Sequence, residues 1–152
     1  YQPINMFDKL KSIFDKKIDE ESEQFDTVQI AISTLMIQTA VYDGIFDEQE
    51  KSKILELIKK YFHFNEDQKL ALFKIAMKVN DNSNDMQQFT KVLNDNLSEE
   101  EKLNIIEMLW KIIISDGHID DYENALIRKI SGLLYISDRD VGQIKKKLIA
   151  QQ

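Results

Sequence analysis

Apolar residues recur along this chain at spacings of three and four, the period of an α-helix with one buried face. Residues 6–18 carry Met6, Phe7, Leu10, Ile13, Phe14 and Ile18 on one stripe, opposite Lys9, Lys11, Lys16 and Lys17. The acidic run Asp19-Glu20-Glu21-Ser22-Glu23 follows as a linker. A long helix is expected from about 25 to 42, with Val28, Ile32, Leu35, Met36 and Ala40 inward. The next carries Ile54, Leu57, Ile58 and Phe62, and another carries Leu70, Leu72, Phe73, Ala76 and Met77. After the polar loop cluster Asn80–Asp85 comes a short helix with Phe89, Val92 and Leu93. A second long helix, 99–115, buries Leu103, Ile106, Leu109, Trp110 and Ile113. Leu126, Ile127, Ile130 and Leu134 mark the next, and Ser137 opens the last. The pairs Asp47/Glu50, Asn65/Gln68, Ser98/Glu101 and Asp120/Glu123 have the polar-x-x-acid/amide form of a capping box. The runs Ile112–Ile114 and Gly132–Ile136 continue helical patterns, so no strand is expected. The fold class is all-α, a bundle of seven to eight helices, with residues 1–24 as amphipathic helix and linker and residues 25–152 as the helical domain.

One segment occurs twice. Asp43-Gly44-Ile45-Phe46-Asp47-Glu48-Gln49-Glu50 returns as Asp116-Gly117-His118-Ile119-Asp120-Asp121-Tyr122-Glu123, 73 positions on (43 to 116). Each copy stands between two apolar helical stretches. In the same frame Leu35, Met36 and Ala40 fall on Met108, Leu109 and Ile113, and Ile54, Leu57 and Phe62 fall on Ile127, Ile130 and Tyr135. Two pseudo-symmetric helix-turn-helix repeats follow, joined by residues 66–97.

Composition narrows the function. The chain has no cysteine, which removes disulfides, thiolate metal sites and cysteine nucleophiles. Its net charge of −7 argues against nucleic acid as the ligand. No apolar run approaches the roughly 20 residues that span a bilayer. The start, Tyr1 to Met6, lacks the basic and apolar regions of a signal peptide, so a cytoplasmic protein is expected. The common nucleophile, phosphate-loop and zinc motifs are missing, and the chain is not expected to be an enzyme. The basic amphipathic N-terminal helix could touch a membrane surface, but covering the core of its own domain is the favoured role. An unidentified protein partner is expected.

The repeated turns carry the chemistry. Asp43, Asp47 and Glu50 in copy one, and Asp116, Asp120 and Glu123 in copy two, gather three carboxylates near a helix start. Oxygen-rich clusters of this kind suit the hard cations Ca²⁺ and Mg²⁺. The spacing is not that of an EF-hand: from Asp116 the required glycine would be Asp121 and the bidentate Glu would be Ile127. A structural role competes with this one. Gly44 and Gly117 can end a helix at positive φ, while Asp47 and Asp120 cap the next one and Glu50 and Glu123 close the box. Capping leaves Asp43 and Asp116 unexplained. His118 has Ile45 as its counterpart, so it lies outside the shared pattern and reads as a loop histidine. His63, beside Phe62 and Phe64, reads as structural.

With Asp43-Gly44…Glu50 and Asp116-Gly117-His118-Ile119-Asp120…Glu123 each set between an apolar helix and an Ile-rich one, the chain resembles the TerB-like family, the bacterial tellurite-resistance protein B group, over about residues 25–147. The resemblance implies a compact all-helical domain in responses to metal and oxyanion stress. It further implies a binding or scaffolding role, with divalent metal at the acidic motifs. Family copies often have a small residue before Asp-Gly; Ser115 fits this, whereas Tyr42 is expected to crowd the first turn.

Overall fold

The computed structural model describes residues 23–42, 44, 46–83, 85–117 and 119–151. The expected N-terminal helix and its linker up to Ser22, Asp43, Ile45 and His118 lie outside the described residues, as does the side chain of Asp116.

Seven α-helices form the described chain: α1 Thr27–Ala40, α2 Glu48–Phe62, α3 Glu66–Asn82, α4 Met86–Asn96, α5 Glu99–Ile113, α6 Asp121–Leu133 and α7 Asp138–Ala150. A 3-10 turn, Ile114–Asp116, extends α5, and no strand occurs among the described residues. Every α-helix start has a side-chain cap. Asp26, Asn65, Ser98 and Asp120 form full capping boxes, and Asp47, Asp85 and Ser137 each take a backbone N–H. These bonds satisfy donors that a helix start otherwise leaves without partners.

The centre of the bundle is α1. Every residue from Ile30 to Ala40 is buried, and the helix packs against α2, α3, α4, α5 and α6. The sequence pattern anticipates one apolar stripe, but neighbours surround the helix, so its polar positions are buried as well. Thr34 and Thr39 are accommodated because their hydroxyls donate to Ile30 O (2.8 Å) and Leu35 O (2.9 Å) one turn back. The second central helix is α5: Leu109 and Ile113 are fully buried and Trp110 is 2% exposed. Phe25 stacks at 5.5 Å on Phe64, which lies 5.4 Å from Phe62, so the start of α1 is tied to the end of α2.

Two helix ends depart from expectation. The run Gly132–Ile136 does not continue as helix. The α6 helix stops at Leu133, and Tyr135 adopts φ +60°. Ile136 N–H then bonds Ser131 O at 2.9 Å, closing the helix as a Schellman turn without glycine. His63 does the same after α2, at φ +57°, with Phe64 N–H on Lys59 O at 3.0 Å. The long helix expected to reach 115 ends at Ile113 and tightens into the 3-10 turn.

Candidate functional site

The described residues of the two Asp-Gly turns share several features. After α1, Val41 accepts the Gly44 N–H at 2.9 Å; after α5, Ile114 accepts the Gly117 N–H at 3.1 Å. Gly44 sits at φ +85° and Gly117 at φ +86°, where a Cβ would strain the backbone. Two residues past each glycine, Phe46 and Ile119 pack against the core. Asp47 and Asp120 follow in extended conformation, and each accepts the N–H three residues on, from Glu50 and Glu123, at 2.8 Å. Glu50 and Glu123 are then carried into the protein, 5% and 9% exposed.

The copies differ in one bond. Asp120 N–H donates to Glu123 Oε1 at 3.3 Å and completes the box. At Asp47 the cap is half a box: among the described residues, Glu50 does not take the Asp47 N–H. Glu50 is nonetheless buried. Tyr42, before the first turn, is 48% exposed.

The fold brings together elements that flank the two turns. The α2 helix, which follows Gly44, packs against the 3-10 turn that precedes Gly117. Between them lies an open cleft of about 580 Å³, lined on one side by Glu48, Ser52 and Glu56 and on the other by Lys111, Ile114 and Ser115.

Of the six carboxylates singled out in the sequence, the structure joins Asp47 to Glu50 and Asp120 to Glu123. It describes neither Asp43 nor the Asp116 side chain. Among the described residues, no three His, Cys, Asp or Glu side chains converge in a form that would hold a metal ion. His63 is exposed at the end of α2 and serves the helix stop. No described helix is long and apolar enough to cross a membrane.

A second feature escaped the sequence reading. Between α6 and α7 lies a cleft of about 500 Å³ that reaches down to Trp110. Its one flag in the sequence is Gly142, a glycine inside a helical pattern.

Comparison with known proteins agrees with the architecture. The family model described as tellurite resistance protein TerB matches residues 29–146, from within α1 to within α7. No curated protein and no solved structure matches the chain. A match over most of the chain, on an all-helical bundle with this pair of Asp-Gly turns, settles the family: the chain belongs to the TerB family.

Proposed function

We propose that this protein is a non-catalytic binding module of the cytoplasm whose duplicated Asp-Gly turns hold divalent cations, Ca²⁺ or Mg²⁺, in a bacterial stress-response setting. The observation that supports the reading is that each turn sets a buried glutamate behind a capping aspartate, Glu50 behind Asp47 and Glu123 behind Asp120. Asp43, Asp47 and Glu50 serve the first site, and Asp116, Asp120 and Glu123 the second. Capping and coordination are compatible. Asp47 and Asp120 each take a backbone N–H through Oδ1, and a carboxylate has a second oxygen for a cation. Burial of Glu50 and Glu123 lowers the local dielectric and strengthens attraction for a positive ion.

Calorimetry and thermal melting with Ca²⁺, Mg²⁺, Mn²⁺ and Zn²⁺ test this. A bound ion raises the melting temperature by mass action. Millimolar Ca²⁺ or Mg²⁺ should stabilise the wild type, and Asp116→Asn should reduce the shift. No heat and no shift with any of the four ions would overturn the metal reading.

A second reading rests on the Asp120–Glu123 box, which accounts for both side chains with no ion present. In it the turns are structural and the domain is a scaffold for an unidentified protein partner. That reading predicts a silent Asp116→Asn and no metal response.

A further inference from the structure

We propose that the cleft between α6 and α7 is a binding site for a small zwitterion of the amino-acid class. Its two walls follow one pattern. On α6, Asp121, Asn124, Ala125 and Arg128 face the cleft; on α7, Asp138, Val141, Gly142 and Lys145 do. Each set has the spacing of a single helix face. Each wall therefore offers an acid at its start, a small residue in its middle and a base at its end.

These charges do not neutralise one another. Among the described residues, Asp121, Arg128 and Asp138 take part in no salt bridge. Lys145 donates to Asn124 Oδ1 at 2.8 Å and stands 5.2 Å from the centre of the Trp110 ring. A ligand with only a negative charge would meet two aspartates, and one with only a positive charge would meet Arg128 and Lys145. A molecule that carries both uses all four.

Two further observations point to an occupant. Trp110 lines the cleft and is 2% exposed, yet among the described residues its indole N–H has no acceptor. Buried donors are normally satisfied, and a carboxylate admitted by a small shift of the cleft walls would supply the acceptor. Gly142 lies inside α7, where glycine is disfavoured relative to alanine. Its backbone does not need glycine, because its φ is not positive, and a Cβ there would meet nothing within 4 Å. Neither the turn chemistry nor the packing of the protein explains it. What it leaves is room between the walls.

The test uses the intact protein and its single tryptophan. Trp110 emission and melting temperature are followed during titration with glycine, L-alanine, L-lysine and diglycine, and separately with acetate and ethylammonium at matched ionic strength. At least one zwitterion should give a saturable emission change and a raised melting temperature, with neither half-ligand matching it. Gly142→Leu should keep the helical circular dichroism and abolish the response by filling the cleft. Arg128→Gln should weaken binding about tenfold or more. No saturable response to any zwitterion overturns the proposal, as does an equal response to acetate, which would make the cleft an anion site. A response that survives Gly142→Leu places the ligand elsewhere and overturns it too. None of these outcomes bears on the metal reading.

Discussion

Asp120 and Glu123 hold each other across the start of α6. The Asp120 carboxylate accepts the Glu123 N–H at 2.8 Å, and the Glu123 carboxylate accepts the Asp120 N–H at 3.3 Å. Asp120→Ala removes the cap and should cost about 0.5–2 kcal/mol in chemical denaturation, whereas Asp120→Asn should be mild because asparagine caps as well. Equal losses for both variants would mean that charge, and not capping geometry, is what the position supplies.

Gly117→Ala and Gly44→Ala should each destabilise by roughly 1 kcal/mol. Nothing lies within 4 Å of a Cβ at either site, so the loss is one of backbone conformation alone. Asparagine, which tolerates left-handed geometry, should recover part of it. Urea melts of the four single variants decide this, and a neutral alanine would show that the turn relaxes freely.

Trp110 packs in the core of α5, and Trp110→Ala should cost roughly 3–5 kcal/mol by leaving a cavity. Its native emission should be blue-shifted and poorly quenched by iodide. A water-like emission maximum would contradict the burial.

Glu66 bridges two helices, accepting bonds from Lys59 of α2 and, at 2.7 Å, from Lys69 of α3. The two ammonium groups lower its pKa from the usual 4.5 to about 2. A depressed carboxylate stabilises the folded state above its ordinary range, and the contribution fades as pH falls from about 4.5 towards 2. The group is fully exposed, so the effect is small and screened by salt. Glu66→Gln should lower the melting temperature slightly at neutral pH in low salt, with the difference from wild type shrinking in high salt and vanishing near pH 2. A difference independent of both would assign the loss to something other than this bridge.

Much of the architecture was readable from local chemistry. Asp47, Asn65, Ser98, Asp120 and Ser137 announce helix starts by residue type, and each is a cap in the structure. Gly44 and Gly117 announce turns, and both sit at positive φ. What failed was non-local or lacked a marker. Tyr135 ends α6 in a left-handed conformation that nothing in Leu133-Leu134-Tyr135 signals, since the nearby glycine, Gly132, stays inside the helix. The full burial of α1 depends on five neighbours that periodicity cannot see. The walls of the Trp110 cleft lie on two helices, and neither face looks unusual alone.

The all-round burial of α1 has a consequence for the fate of the chain when the bundle opens. Thr27–Ala40 contains no charged residue and no proline or glycine, and its middle, Ile30 to Ile37, is rich in isoleucine with β-branched and small neighbours. As a helix among helices it is sheltered. Released, it is an uncharged stretch of high β-propensity without gatekeepers, the composition from which intermolecular strands assemble. The caps and turns that keep its neighbours in place therefore also serve as guards against aggregation. A small loss of stability should show itself first as insoluble protein and only later as a lowered melting point.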